Sequence, residues 1–241
     1  MRTIRITACG LLAAGLAAVA ASAAETPTLK VKVDNLKNRG VFPNQYEFCV
    51  PNQQGHVDPG PDKSPPISWS KGPAGTKSYV ATLTDIDNPA EQREKMNKEG
   101  MTVSASAARR TVYHWILVDI PAKVTSLPEG AESEARVPHG KPQTPAPVGV
   151  RGLNDFTMFM AANDQMKGQY FGYDGPCPAW NDELVHRYVF TVYAVSVPSL
   201  NLTGAFTGSA VMTALEGKVL AKGELTGLAS TNPAVIATLP K

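Results

Sequence analysis

Apolar and polar residues alternate over short runs along most of this chain, which predicts β-strands rather than long helices. Residues 29–33 alternate strictly, as a strand with one buried face does. Further strand-like runs cover residues 67–70, 79–84, 112–120 and 187–197, and the last is rich in Val, Tyr, Phe and Thr. The 20 glycines and 20 prolines separate these runs. The pattern therefore predicts a mostly β protein, built as a sandwich or a barrel.

Two segments have a helical pattern. Residues 91–98 are short and charged and are followed by Gly100. Residues 209–222 place Val211, Ala214, Leu215 and Val219 on one face, and Gly223 is placed as a C-terminal cap. Residues 132–147 are rich in proline and polar side chains and are expected to form a long surface loop.

The N-terminus has the pattern of a secretory signal. Arg2 and Arg5 precede a short apolar region at residues 11–21, and small residues at positions 21–23 fit a cleavage site. An uncleaved anchor is less favoured, because the apolar region is shorter than the ~20 residues of a membrane span. We expect residues 1–23 to be a signal peptide and residues 24–241 to be one domain, periplasmic or secreted.

Charge and cysteine usage narrow the function classes. Without Arg2 and Arg5 the mature chain has 21 basic and 21 acidic residues and no basic run, which argues against a nucleic-acid partner. Of the three cysteines, Cys9 leaves with the signal. We predict that Cys49 and Cys177 form a disulfide in an oxidising compartment. Two free buried thiols are the alternative.

Asp85 and Asp87 are the first candidates for chemistry. They follow a predicted strand, and Pro89 comes two residues later. Side chains two apart on a strand share a face, so both carboxylates could point at one site. The local sequence alone favours the plainer interpretation, an Asx-type turn in which an Asp side chain binds backbone amides.

Histidines and a constrained turn are the second set of candidates. His114 and His186 each begin an apolar strand, where a histidine is often an ordinary core residue. Gly175 and Pro176 form a turn in which glycine permits close approach of a ligand and proline holds the shape, although a plain β-turn is equally consistent.

Motifs of known catalytic or metal sites are missing from the sequence. It contains no His-x-x-x-His, His-Glu-x-x-His, Cys-x-x-Cys or Gly-x-Ser-x-Gly pattern. Two carboxylates and two histidines could bind a metal, but their spacing is not diagnostic. We therefore expect no cofactor, no metal and no catalytic residue. A metal-dependent phosphatase or hydrolase remains an alternative, as does a protein-interaction or inhibitor module.

The ordered set of motifs resembles the phosphatidylethanolamine-binding protein (PEBP) family, and most closely its bacterial, Raf-kinase-inhibitor-like branch. The resemblance extends from about residue 29 to the C-terminus. It is carried by Ser-Pro-Pro-Ile-Ser-Trp at 64–69, Asp-Ile-Asp-Asn-Pro at 85–89, His-Trp at 114–115, Gly-Pro-Cys-Pro at 175–178 and His-Arg-Tyr at 186–188.

This resemblance implies an antiparallel β-sandwich with short peripheral helices and a C-terminal helix. It also implies a non-enzymatic pocket for a small anion such as phosphate or a phospholipid head group, with at most peripheral membrane contact. The implied ligand-binding residues are Asp85, Asp87, His114, Gly175, Pro176, His186 and Tyr188. Protonated His114 or His186 would supply positive charge beside the two acids, so we expect phosphate-type ligands to bind better below neutral pH.

Three features depart from the family pattern. Ile86 replaces the usual proline between the acids. Residues 91–110 are longer than usual before His-Trp, which predicts an extra helical flap near the pocket. Residues 179–183 (Ala-Trp-Asn-Asp-Glu) replace the usual loop before His186 and are expected to narrow or reshape the pocket mouth.

Overall fold

A computed structural model describes residues 27–54 and 56–240 of the chain. The predicted signal peptide at residues 1–23 lies outside the described residues. Within the described part, no helix is both long enough and apolar enough to cross a bilayer.

Eleven strands and three short helices are formed by the described residues. The strands are β1 (Val31–Val33), β2 (Gly40–Val41), β3 (Cys49–Pro51), β4 (Val57–Pro59), β5 (Ile67–Trp69), β6 (Ser78–Pro89), β7 (Arg109–Pro121), β8 (Ser126–Leu127), β9 (Val150–Arg151), β10 (His186–Val195) and β11 (Val219–Ala229). The helices are α1 (Phe156–Phe159), α2 (Gly208–Leu215) and α3 (Pro233–Ile236), and single 3-10 turns occur at Asn44–Tyr46 and Arg93–Lys95.

The strands form one large sheet and two small ones. The large sheet has the order β2-β11-β10-β6-β7-β9, and β1-β5-β8 and β3-β4 form the small sheets. All pairings are antiparallel except that of β2 with β11, which is parallel. Strands β6, β7 and β10 form the centre of the large sheet, and the predicted site residues lie on them or on the turn that precedes β10.

Alternation along the central strands places apolar side chains on both faces of the large sheet. On β6, Tyr79, Ala81 and Leu83 belong to the core shared with the small sheet β1-β5-β8. Val80 points the other way and packs with Val211 of α2. The predicted antiparallel β-sandwich with peripheral short helices is confirmed, and the burial of these apolar faces is the main force that holds the layers together.

Both ends of the large sheet are short strands. Strands β2 and β9 have two residues each and cover only part of β11 and β7. Loop segments bond to further backbone groups of these strands, as when Arg39 N–H donates to the Thr226 carbonyl and Asp155 N–H donates to the Tyr113 carbonyl. Short edge strands are one way in which sheets avoid pairing with other chains.

The predicted helix at residues 209–222 is wrong in its second half. Helix α2 ends at Leu215, Gly217 turns the chain with a φ of +70°, and β11 begins at Val219. Gly223 is not a helix cap. It pairs with Val192 in the sheet, where a Cβ atom would lie 2.3 Å from the carbonyl oxygen of Leu29. The pairing of β11 with β10 along the length of the strand therefore outweighs the helical pattern of residues 219–222.

The two other predictions about local structure also need correction. The predicted helical segment at residues 91–98 contains one 3-10 turn, Arg93–Lys95. The loop at 132–147 has no helix or strand, as expected, but it is not confined to the surface because Glu132 and Lys141 are buried. The Glu132 carboxylate accepts hydrogen bonds from Trp115 and Arg151, which draws the start of the loop inward.

The predicted disulfide is present. Cys49 on β3 is bonded to Cys177 across 128 positions of the sequence. The bridge ties the small sheet β3-β4 to the turn that contains Gly175 and Pro176. The alternative of two free thiols does not hold in this structure.

Candidate functional site

Asp85 combines a local turn with a long-range contact. Its Oδ1 accepts a hydrogen bond from the backbone N–H of Asp87 at 2.8 Å, which is the Asx-type arrangement. Its Oδ2 lies 2.8 Å from Nδ1 of His186. Strand β6 continues to Pro89, so both acids lie within the strand, and a bulge against β7 lies between Asp85 and Asn88.

His186 is a buried cation. Its Nδ1 faces Asp85 Oδ2, and its Nε2 faces Asp182 Oδ2 at 3.1 Å. Because an ionised carboxylate only accepts hydrogen bonds, both ring nitrogens carry protons. Burial acts to lower the pKa of His186, but the charges of Asp85 and Asp182 outweigh it and raise the pKa to about 9.

Asp182 extends this arrangement to Arg109. Two hydrogen bonds of 2.6 and 3.0 Å join its carboxylate to the guanidinium of Arg109. Burial acts to raise the pKa of Asp182, but His186 and Arg109 bring it below its usual value. Asp85, His186, Asp182 and Arg109 thus form a row of alternating charges, in which each carboxylate has a cationic neighbour.

Asp87 is likewise engaged within the protein. Its carboxylate accepts three hydrogen bonds from Arg187, from the backbone N–H at 2.9 Å and from Nε and Nη2 at 2.7 Å each. Burial opposes ionisation, yet these bonds hold the pKa of Asp87 below its usual value. Both predicted acids are therefore compensated by cations of the protein itself.

The two ring nitrogens of His114 differ in their surroundings. Its Nδ1 lies 2.9 Å from the carbonyl oxygen of Asp174 and 3.1 Å from that of Gly175. Since carbonyls only accept hydrogen bonds, Nδ1 carries the proton, and Nε2 of the neutral ring has an open lone pair. Burial lowers the pKa of His114, which favours this neutral form. No hydrogen-bond partner of Nε2 is found among residues 27–54 and 56–240.

Tyr188 packs against both histidines. Its ring centroid lies 5.1 Å from that of His114 in an edge contact and 6.4 Å from that of His186 in a stacked contact. The side chain is buried, and burial raises the pKa of Tyr188 well above its usual value. The phenol therefore stays neutral and gives the site an apolar wall.

The turn at Gly175 and Pro176 is held by backbone contacts. Gly175 N–H donates to Asp62 Oδ1 at 2.7 Å, and the Pro176 carbonyl accepts from Phe48 N–H at 3.0 Å. A Cβ atom at Gly175 would lie 2.0 Å from the carbonyl oxygen of Tyr46. The glycine is thus required by the close approach of another backbone segment.

A cleft of about 540 Å³ lies over His114. His114 and Cys177 line it together with residues 93–97 on one side and with α1 and the chain that follows it on another. The other lining residues are Arg93, Glu94, Met96, Asn97, Phe156, Met158, Phe159, Met160 and Ala162. The cleft therefore combines apolar and thioether walls with one arginine, one glutamate and the imidazole.

Comparison with known proteins identifies the fold and the family. The family model described as phosphatidylethanolamine-binding protein matches residues 32–230. The chain belongs to the phosphatidylethanolamine-binding protein family. Members of this family are generally binding proteins rather than catalysts, and the family is known for binding phospholipid or anionic ligands.

Relatives in sequence and in structure agree with this assignment. A UPF0098 protein of Aquifex aeolicus is 32% identical over 170 residues, which cover 70% of this chain and 75% of the relative. The crystal structure of Escherichia coli YbcL, described as a new member of the mammalian PEBP family, matches with a TM-score of 0.59 and 24% identity, over 84% of this chain and 98% of YbcL. The crystal structure of a PEBP homologue from Chlamydia trachomatis, CT736, matches with a TM-score of 0.56 and 24% identity. The match covers 84% of this chain and 97% of CT736.

In this PEBP-family chain, the segment at residues 91–110 is fastened by the loop at residues 179–183. The Asn181 side chain accepts from Asn97 N–H at 2.9 Å, and its Nδ2 donates to the carbonyls of Lys95, Lys98 and Met101 at 2.8, 3.3 and 3.0 Å. That this loop narrows or reshapes the pocket mouth stays a prediction. In the structure Asp182 is buried, and Asn181 anchors the segment, part of which lines the cleft.

One buried cluster of this PEBP-family chain was not anticipated from the sequence. Lys141 Nζ lies 2.6 Å from Asp174 Oδ1 and 2.9 Å from Asp62 Oδ2. Burial and the charge of Asp62 raise the pKa of Asp174 to about 8, against the opposing effect of Lys141. Burial acts to lower the pKa of Lys141, but the two carboxylates outweigh it and raise the pKa.

In the described part of the chain, no group of three or more His, Cys, Asp or Glu side chains is arranged to hold a metal ion. In the row of Asp85, His186 and Asp182, protons on both ring nitrogens occupy the positions that a metal would need.

Proposed function

We propose that this PEBP-family protein is an exported, non-enzymatic binding protein that takes a small anion, such as phosphate or a phospholipid head group, in the cleft over His114. The observation that carries the proposal is the state of the two predicted aspartates and the two predicted histidines. Asp85, Asp87 and His186 have protein partners for their charged groups, whereas His114 Nε2 has none among the described residues and His114 lines the cleft.

Charge around the cleft is compatible with an anionic group. Asp85 and Asp87 would repel an anion if they were unpaired, but His186 and Arg187 compensate them. Arg93 lines the same cleft and offers a guanidinium, the side chain best suited to phosphate. Glu94 is also in the lining, and would suit the ammonium group of a zwitterionic head group.

Protonation of His114 should govern the affinity. The neutral ring offers a lone pair at Nε2 and cannot donate to an anion, whereas the protonated ring can. A bound anion favours the protonated form and so raises the pKa of His114 from its lowered value. Affinity should therefore increase as the pH falls. Calorimetric titration with phosphate or phosphoethanolamine at pH 5.5 and pH 8 measures this, and equal affinities would count against it.

The ligand is best identified on protein purified from the periplasm. Native mass spectrometry would detect what co-purifies, and thermal-shift assays would compare phosphate, phosphoethanolamine and nucleotides. The His114→Gln variant should no longer show a thermal shift with the ligand. The His139→Gln variant, in which an exposed histidine is changed, should still show it. An unchanged response in a folded His114→Gln variant would contradict the assignment of the cleft.

Export and the absence of catalysis need separate tests. Cell fractionation and N-terminal sequencing should find a periplasmic or secreted protein that begins at residue 24. A phosphatase screen with added divalent metals should find no turnover. Turnover that disappears in His114→Gln would favour the alternative, a metal-dependent phosphatase that uses the same cleft.

A further inference from the structure

Lys141 lies between two carboxylates in the interior. Its Nζ is 2.6 Å from Asp174 Oδ1 and 2.9 Å from Asp62 Oδ2. The side chain of Lys141 is 7% exposed, and those of Asp62 and Asp174 are 0% exposed. The three residues come from three separate loops, and none of them lines the cleft over His114, although the Asp174 backbone carbonyl contacts His114 Nδ1.

The surroundings of the cluster are largely buried. Lys141 forms a bridge with the buried residue Phe171, and the buried residue Tyr173 directly precedes Asp174. In such an environment an ionised carboxylate is expensive, and the carboxylic acid becomes more accessible than in water.

Further hydrogen bonds give the two carboxylates different environments. Asp174 Oδ2 accepts from Asn154 Nδ2 at 2.7 Å, whereas its Oδ1 faces Lys141. Asp62 Oδ1 accepts from Gly175 N–H at 2.7 Å, and its Oδ2 faces Lys141. Asn154 is thus positioned to stabilise negative charge on Asp174 Oδ2, and Asp62 is positioned to exchange protons with Lys141.

We propose that Lys141 and Asp174 condense to an intramolecular isopeptide bond, in which Nζ of Lys141 is joined to Cγ of Asp174 and one water molecule is released. Asp62 acts as the proton carrier and Asn154 stabilises the oxyanion. The reaction is autocatalytic and needs no cofactor. Its product is a covalent cross-link in the interior of the protein.

Atoms and charges balance without a further reactant. A proton passes from the Lys141 ammonium to Asp174 Oδ1, which leaves an amine and a carboxylic acid. The amine lone pair attacks Cγ, and the developing charge on Oδ2 is held by Asn154. Asp62 then takes a second proton from nitrogen and gives it to the Oδ1 hydroxyl, which leaves as water. Asp62 returns to its initial state.

The reaction has to occur once per molecule, so a slow rate is sufficient. Groups held in contact gain effective concentrations on the order of 10⁵–10⁸ M over separate reactants. The raised pKa of Asp174, about 8, supplies the acid form at neutral pH. The raised pKa of Lys141 makes the free amine a minor species, so the reaction should be slow after folding.

Intact-mass measurement on the purified, reduced wild-type protein tests the proposal. The expected mass is 18 Da below that of the mature sequence, and a tryptic digest should contain one branched peptide that joins Lys141 to Asp174. A full sequence mass after prolonged incubation at 37 °C would overturn the proposal and leave a buried ion triad.

A succinimide at Asp174-Gly175 would also remove 18 Da, so a control is needed. Lys141→Arg keeps the positive charge but cannot form this bond, and it should show the full mass. Loss of 18 Da in Lys141→Arg, or a wild-type peptide without a branch at Asp174, would contradict the proposal. Asp62→Asn keeps a side-chain oxygen for Gly175 N–H and should slow the cross-linking at least 100-fold.

Discussion

The imidazole of His186 and the carboxylate of Asp85 share a 2.8 Å hydrogen bond across 101 positions of the sequence. His186 is 0% exposed and Asp85 is 1% exposed. Asp182 accepts a hydrogen bond from the other ring nitrogen. The imidazole therefore binds both carboxylates only while it is protonated. This pair makes the stability of the fold dependent on pH.

The stabilisation by His186 should disappear at high pH. Its folded-state pKa is raised from 6.5 to about 9, so the contribution is fully present below about pH 6.5 and is lost as the pH rises through about 9. We expect His186→Gln to lower the free energy of unfolding by about 3–5 kcal/mol at pH 6, because two carboxylates lose their buried partner. Urea denaturation at pH 6 and pH 9.5 measures the difference.

The control for this prediction is His139→Gln, in which the changed histidine is exposed. It should alter the unfolding free energy little at either pH. If His186→Gln lowers the free energy of unfolding by the same amount at pH 6 and at pH 9.5, the assignment of a buried imidazolium is wrong.

Removal of the Asn181 side chain should loosen the segment at residues 91–110. Asn181→Ala abolishes one hydrogen bond to Asn97 N–H and three to backbone carbonyls. At about 0.5–1.5 kcal/mol for each bond, local opening should become at least tenfold more frequent. Hydrogen-exchange mass spectrometry on residues 93–103 detects this.

Asn181→Asp is the matched variant, because it keeps the acceptor for Asn97 and loses the three donated bonds. Hydrogen exchange in residues 93–103 of this variant should therefore be faster than in wild type. Unchanged exchange in both variants would show that the segment is held by other contacts, such as the pair of Arg109 and Asp182.

The disulfide should make a large contribution to stability. A closed loop of this length stabilises by on the order of 4–5 kcal/mol in the loop-entropy model. The double variant Cys49→Ser/Cys177→Ser should have an unfolding free energy lower than that of wild type by this amount. Reduced wild type should show the same decrease. Thiol labelling of unreduced, denatured mature wild type should find no reactive thiol. Two labelled thiols would disprove the bridge.

An alanine at Gly175 should disturb the turn through steric contact. The new Cβ would lie 2.0 Å from the Tyr46 carbonyl oxygen, which can move only with its backbone. We expect a cost of at least 1–3 kcal/mol, as for an overpacked core. Gly100→Ala is the comparison, because Gly100 has a φ of +68° and open space around it, and should cost about 1–2 kcal/mol. Thermal unfolding that shows a loss below about 1 kcal/mol for Gly175→Ala would argue against the steric explanation.

Local patterns were sufficient for the central strands. Residues 79–84, 112–120 and 187–197 were predicted as strands and lie within or largely within β6, β7 and β10. Residues 219–222 could not be assigned in this way, because their apolar side chains satisfy the helical period as well. Their pairing with β10 depends on residues about 30 positions away, which no local pattern encodes.

The ligand-binding role of the predicted residues stays a prediction, and His114 is the one of the seven that lines the cleft in the described part of the chain. The sequence indicated Asp85 and His186 as neighbours but gave no sign that Asp182 takes the second ring nitrogen. The burial of Lys141 was hidden by its polar, proline-rich loop. Its partners are 79 and 33 positions away and lie in loops without periodic patterns, so only the tertiary fold shows that an ammonium group is needed there.

The two-residue strands at the ends of the large sheet have a consequence for the behaviour of the protein in concentrated solution. Strands β2 and β9 end the hydrogen-bonded ladder after two residues each, and loop segments bond to further backbone groups of β11 and β7, so a second molecule finds little continuous backbone to extend. The central strands, which are apolar and would assemble readily if exposed, are enclosed on both sides. Such a sheet can remain dispersed in a crowded compartment without a chaperone to cover its edges.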